Sequence, residues 1–177
     1  SNIRLTREEA MKEIVKAHPD AAILFCNGYN ARAAQACVDR EGNFYNVGYM
    51  GGTLPMGWGL AKSNPDIQVV VVDGDQNASM STFKDHLAHQ YPGNLFWYVL
   101  DNKTGVSVGV AKSLPLAPWI YELARVVQTI PEKQGTFVYP RVKAIAGTLA
   151  QHYDNWRNWI QHQTTKNIRQ QIVLSFA

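Results

Sequence analysis

The chain has 177 residues, 46% hydrophobic and 18% charged, with a formal charge of +3. That length and apolar content suit one globular domain with a single sizeable core, so residues 1–177 are expected to form one domain. The basic residues are scattered with no run of five or six, which argues against nucleic acid or an anionic membrane as partner, while a slight positive balance suits small anionic ligands.

Thr6-Arg7-Glu8-Glu9 is a capping box, and it opens a helix that Pro19 closes. Residues 21–26 read as a strand, Asn30 as the cap of a helix to about residue 40, and residues 44–47 as a short strand. A glycine-rich helix over 56–63 leads into the strand that begins at Val69 and ends at Asp73. A helix over about 81–91 follows, then a strand over 95–100. The last third carries a predicted helix at 119–127, a long one at 141–161 and a final strand near 171–176. Tyr153, Trp156, Trp159 and Ile160 form an apolar stripe at helical spacing, suited to packing. Alternating strands and helices define an α/β fold, a three-layer α/β/α arrangement around a mostly parallel sheet. The runs 69–72 and 95–100 are short, rich in β-branched or aromatic residues and flanked by Gly, Pro, Asn and Asp, as in strands covered on both faces.

Asp75 follows the first of these runs and Asn102 the second. Ligands of parallel sheets bind at the carboxyl ends of the strands. An Asp carboxylate and an Asn carbonyl meeting there, beside a turn of free backbone amides, make a hard oxygen site suited to Mg²⁺ carrying a phosphorylated ligand. An Asp-Gly-Asp turn after a strand also occurs in α/β proteins that bind no metal, so the second residue and its spacing matter.

The sequence Gly74-Asp75-Gln76, then Asp101-Asn102, with 102 − 75 = 27, resembles the thiamine-diphosphate motif, usually Gly-Asp-Gly, some two dozen residues, then Asn-Asn. Here the motif's second glycine is Gln76 and its first asparagine is Asp101. The stretch from Asn43 to Asp75 is similar to the Val-Gly-Ser-Met-Gly segment of phosphonopyruvate and sulfopyruvate decarboxylases, with Met50 at 75 − 50 = 25 residues before the aspartate. Cys26 to Ala34 resembles their Thr-Gly-x-x-Ser-Arg-Glu turn, with Gly28 and Arg32 matching. The resemblance covers roughly residues 6–109; beyond it the expected Ser-Thr-Gly-Gly-Gln-like run is reduced to Ser107-Val108-Gly109-Val110.

The resemblance implies a thiamine-diphosphate-binding fold with thiamine diphosphate and Mg²⁺ as cofactors. Asp75, Asn102 and the backbone carbonyl of Thr104 would be the metal ligands. Gly28, Gly48, Met50, Gly74, Gln76 and Asn77, with Asp75 and Asn102, would lie against the cofactor. Met50 would wedge between the cofactor's two rings and hold it bent, and the Gly48 carbonyl would accept from its 4′-amino group. Gln76 places a side chain where glycine allows the backbone to approach the diphosphate.

The implied activity is decarboxylation of a small anionic 2-oxo acid. The family's catalytic glutamate belongs to a pyrimidine-binding half that this chain lacks, so a pyrimidine-binding subunit is the expected partner. The chain alone is expected to be inactive, and to work in a hetero-oligomer or dimer. Two other readings remain open: half of another thiamine-diphosphate enzyme, such as an acetolactate-synthase-like one, or a non-catalytic relative acting as a structural or regulatory partner.

Several residues carry competing readings. Met50 could equally pack in a core. His86 and His89 share a helix face and could bind a metal, or merely be solvated or capping. Arg32 could meet a substrate carboxylate or phosphonate, or make a helix-surface salt bridge, and Gly51-Gly52 could be turn chemistry only. Apolar stretches fall short of the roughly 18 residues that span a bilayer, and the amino terminus lacks a basic-then-apolar leader. Cys26 and Cys37 form no Cys-x-x-Cys pair, which indicates neither zinc nor a disulfide framework. A reduced cytoplasm is the expected compartment.

Overall fold

The computed structural model describes residues 4–105, 109, 112–143 and 149–175. Helix α1 (Arg7–Ala17) starts at the expected capping box: the Thr6 hydroxyl accepts from the Glu9 amide, and the Glu9 carboxylate accepts from the Thr6 amide. It is followed by β1 (Ala22–Phe25), α2 (Tyr29–Val38), β2 (Asn43–Tyr45), α3 (Thr53–Ser63) and β3 (Val69–Gly74). Then come α4 (Asp75–Met80), α5 (Lys84–His89), β4 (Leu95–Asp101), α6 (Pro118–Leu123), β5 (Arg125–Gln128) and α7 (Leu149–Ser175).

The strands form one parallel sheet in the order β2-β1-β3-β4-β5. Side chains alternate between its faces, as period-2 geometry requires. Ile23, Phe25, Val70, Val72, Tyr98 and Leu100 pack against Met11, Ile14, Ala31 and Ala34 from α1 and α2. Leu24, Val69, Val71, Trp97 and Val99 pack on the other face against Leu54, Leu87, Ile120, Trp156 and Ile160 from α3, α5, α6 and α7. The result is a three-layer α/β/α fold. The four valines of β3 are fully buried, and each contributes about 1.5–3 kcal/mol by leaving water. Helix α3 lies so close to this strand that a Cβ at Gly57 would stand 2.2 Å from Val71 Cγ2.

This strand order decides where a ligand can sit. From β1 the chain moves outward to β2, then returns past β1 to form β3 on its other side. Connections therefore diverge between β1 and β3, opening a crevice above their carboxyl ends. Register keeps the neighbouring strand level with it, since Gly74 pairs with Leu100.

Three expected elements are corrected. The helix at 119–127 ends at Leu123, and Arg125–Gln128 pairs with β4 as the edge strand β5. Its apolar spacing fits a helix, but the open edge of β4 offers unpaired backbone groups that only a strand can satisfy. The strand near 171–176 is instead the end of α7 across its described residues, because an established helix propagates through a short β-branched run. The helix at 81–91 is shortened to α5, and a separate short helix, α4, precedes it, the two parted at residues 81–83. In the stripe on α7, Trp156 and Ile160 are buried, whereas Tyr153 is exposed. Cys26 is buried and Cys37 half-buried, both as free thiols. Among the described residues, no helix is long and apolar enough to cross a membrane.

Candidate functional site

A cleft opens at the carboxyl end of the sheet. Its lining comes from Asn27, Tyr29 and Asn30 after β1, Gly74 to Asn77 after β3, Leu100, Asn102 and Thr104 around the end of β4, Thr129 after β5, and Arg7 of α1. Gly74, Asp75, Gln76, Asn77, Asn102 and Thr104 are thus brought together. Gly48 and Met50 lie outside this lining.

Asp75 is only 5% exposed. Its Oδ1 accepts from the Gln76 amide at 2.8 Å and its Oδ2 from the Ser113 hydroxyl at 2.6 Å. Burial raises its pKa, the Ser113 and Gln76 donors oppose that rise, and the neighbouring Asp101 carboxylate adds to it. A carboxylate held this way gains most from a cation, which removes the penalty of burial and of a like-charged neighbour together. Asp101 is buried too, accepting from the Lys103 amide and from Gln128 Nε2.

Asn102 Oδ1 accepts from the Thr104 amide at 3.0 Å, which folds the turn back on itself and forces Lys103 to φ 58°. An amide oxygen has a second lone pair, so this bond leaves it able to bind a cation. Two buried oxygens at the cleft, Asn27 Oδ1 and Thr104 Oγ1, have no hydrogen-bond partner among the described residues. Such atoms are costly unless a ligand or water meets them. Among the described residues, no three His, Cys, Asp or Glu side chains cluster; donors beyond Asp75 would be neutral oxygens. That donor set fits Mg²⁺, which takes one or two carboxylates and leaves further positions to phosphate and water.

The expectation of free backbone amides in the turn is corrected at two positions. The Gly74 amide donates to Cys26 Sγ at 3.3 Å, and the Gln76 amide to Asp75. Buried amides seldom stay unpaired, and here a thiol and a carboxylate stand within reach. Burial foremost, then the charge of Asp73, pushes Cys26 up to about 12, so it remains a protonated acceptor.

The segment carrying Gly48 and Met50 is exposed, and Met50 at 44% is not a core residue. Gly48 has φ 86°, a backbone conformation that glycine adopts without strain. Asn46 ties the segment internally, donating to the Tyr49 carbonyl and to Thr53 Oγ1. Among the described residues, one bond joins it to the cleft: the Gly51 amide donates to Asn77 Oδ1 at 3.0 Å. Gly28, with φ 79°, is the N-cap of α2 beside the lining residues Asn27 and Tyr29.

Among the described residues, Arg32 makes no salt bridge. It donates to the backbone carbonyls of Tyr139 and Pro140 and lies over the rings of Tyr29 and Phe137 at 5.2 and 4.8 Å. It therefore fastens residues 137–140 to α2. His86 stacks on Phe83 at 5.1 Å. Of the run at 107–110, only Gly109 is among the described residues.

Arg7, Asn27, Tyr29, Asn30, Ser113 and Thr129 were not anticipated at the site. Arg7 had a geometric signal: α1 connects to β1 through a short turn, so its first residue returns to the strands' carboxyl end. The pairing of Leu5 with Thr129 holds it there. Ser113 and Thr129 reach the site only through tertiary folding, which no local pattern discloses.

Fold and cleft together define a parallel α/β domain with an oxygen-lined, anion-compatible site at its switch point. No family model matches the chain. It is similar to phosphonopyruvate decarboxylase of Streptomyces viridochromogenes, 37% identical over 123 residues, covering 66% of this chain and 30% of that protein. The phosphonopyruvate decarboxylase of Streptomyces hygroscopicus is 36% identical over 115 residues, covering 63% of this chain and 28% of that protein. Sulfopyruvate decarboxylase subunit beta of Methanothermobacter thermautotrophicus is 34% identical over 106 residues, covering 59% of this chain and 57% of that subunit. The chain is a homologue of these decarboxylases, and its match spans under a third of the first two and a little over half of the third.

Proposed function

We propose that this chain is the diphosphate- and Mg²⁺-binding half of a thiamine-diphosphate-dependent decarboxylase for a small anionic 2-oxo acid of the phosphonopyruvate or sulfopyruvate kind. A separate pyrimidine-binding subunit supplies the catalytic glutamate, and the chain is inactive alone. The observation that carries this reading is the meeting of Asp75 and Asn102 in one cleft with two buried oxygens that have no partner among the described residues, in a homologue of such decarboxylases. The beta-subunit name of one relative supports a hetero-oligomer for this chain as well. A cytoplasmic setting agrees with its free thiols.

Asp75, Asn102 and the Thr104 carbonyl hold the metal. Gly28, Gly74, Gln76 and Asn77 surround the diphosphate. Gly48 offers its carbonyl to the cofactor's amino group, and Met50 holds the cofactor's shape from the exposed segment that Asn77 tethers. Bound thiamine diphosphate supplies the electron sink for the pair left as carbon dioxide departs. Val47, Tyr49, Met50 and Met80 are exposed apolar residues on and beside that segment; a partner subunit seated there would cover them and exclude water from the reacting centre.

The test is reconstitution with a pyrimidine-binding partner. Carbon dioxide release from phosphonopyruvate or sulfopyruvate should require thiamine diphosphate and Mg²⁺. A hundredfold excess of cofactor over its Kd should stabilise the complex by roughly 2.7 kcal/mol. Asp75→Ala should abolish both effects while leaving the fold, and an unchanged melting shift in this variant would contradict the site.

A further inference from the structure

We propose that Arg7 is an anion-binding residue of the cleft and contacts the diphosphate group. This rests on the proposed cofactor reading and adds to it a residue outside the metal-binding turns.

The Arg7 side chain is 10% exposed, with its Nε 2.9 Å from Glu132 Oε1. One terminal nitrogen, Nη1, donates to Asn30 Oδ1. Among the described residues, the other terminal nitrogen, Nη2, has no hydrogen bond. A guanidinium presents five N–H donors in a rigid fork, so donors remain for a ligand in the cleft that Arg7 lines. The rings of Tyr29 and Phe137, each 5.9 Å from its central carbon, help fix the group in place.

Charge points to the same occupant. Among the described residues, the basic and acidic side chains lining the cleft are Arg7 and Asp75. If Asp75 is committed to a divalent cation, the cation cannot neutralise both that carboxylate and a diphosphate, so excess negative charge remains. Arg7 is the cation that lines the cleft, and although its Nε is paired with Glu132, the rest of its planar fork matches phosphate oxygens geometrically. Asn30 belongs to the same arrangement, donating through Nδ2 to Cys26 while its oxygen orients Arg7.

The experiment is calorimetric titration of magnesium pyrophosphate into the full chain and its variants, each checked for cooperative melting. Arg7→Met should weaken pyrophosphate binding at least tenfold, and Arg7→Lys should recover part of the loss because the cation is restored without the fork. Glu132→Gln breaks the same ion pair but keeps the guanidinium, so it should retain the wild-type affinity or exceed it. Equal losses in Glu132→Gln and Arg7→Met would overturn the proposal, reducing Arg7 to a brace for residue 132. Undiminished binding in Arg7→Met, with binding abolished by Asp75→Ala, would overturn the Arg7 assignment while sparing the cofactor reading. Absence of magnesium-dependent pyrophosphate binding in the wild-type chain would overturn both.

Discussion

Asn77→Ala isolates the bond that joins the Met50 segment to the cleft. Asn77 is 8% exposed, and its Oδ1 accepts from the Gly51 amide at 3.0 Å. Removing the acceptor deletes a neutral, part-buried hydrogen bond with a net value of about 1 kcal/mol. The Gly51 amide should then exchange its hydrogen about fivefold faster, since that free energy governs its opening. For a domain of this size the melting temperature should fall by roughly 2–4 °C. Hydrogen exchange read by mass spectrometry on a peptide spanning residues 46–56 is the assay, with Asn77→Asp, which keeps an acceptor oxygen, as comparison. Faster exchange in Asn77→Ala and near-normal exchange in Asn77→Asp are expected. Unchanged Gly51 protection in the alanine variant would refute the tether, and with it the claim that α4 positions Gly48 and Met50.

Gly57→Ala should destabilise by about 1–3 kcal/mol in denaturant unfolding, because its new methyl enters the 2.2 Å approach to Val71; a neutral result would mean that α3 can shift freely. Cys26, pushed up to about 12, exposes at pH 8 only about one thiolate in 10⁴ and is buried as well. A disulfide reagent should therefore label Cys37 quickly in the native protein and both cysteines after denaturation, and rapid native labelling of both would contradict the packing around Gly74. Lys103, at φ 58°, should accept glycine but not valine: Lys103→Val is expected to be less stable than Lys103→Gly by about 1–2 kcal/mol in paired melts, and equal stabilities would argue against a left-handed turn there.

The sheet's centre was legible because its strands carry their own signal. The runs 69–72 and 95–100 are apolar throughout, and only burial on both faces accommodates that. The Thr6 capping box was equally readable, as both of its bonds join neighbours in the chain. By contrast, β5 is a strand because β4 presents an open edge, and its Val126-Val127 pair suits either structure until that edge is known. The end of α7 failed for the converse reason: β-branched residues at 172–173 favour strand locally, but the helix before them had already formed. At the site, Asp75 and Asn102 could be placed from strand ends alone. The thiol that occupies the Gly74 amide, the Ser113 hydroxyl on Asp75 and the guanidinium of Arg7 arrive from sequence separations of 48, 38 and more residues, where no motif constrains them.

The most direct measurement replaces Mg²⁺ with Mn²⁺ and locates it by anomalous scattering in crystals grown with thiamine diphosphate. A single peak bonded to an Asp75 carboxylate oxygen, the Asn102 side-chain oxygen and the diphosphate is expected. Cofactor bound with the metal elsewhere, or an empty turn between β3 and β4 at saturating Mn²⁺, would contradict the assignment.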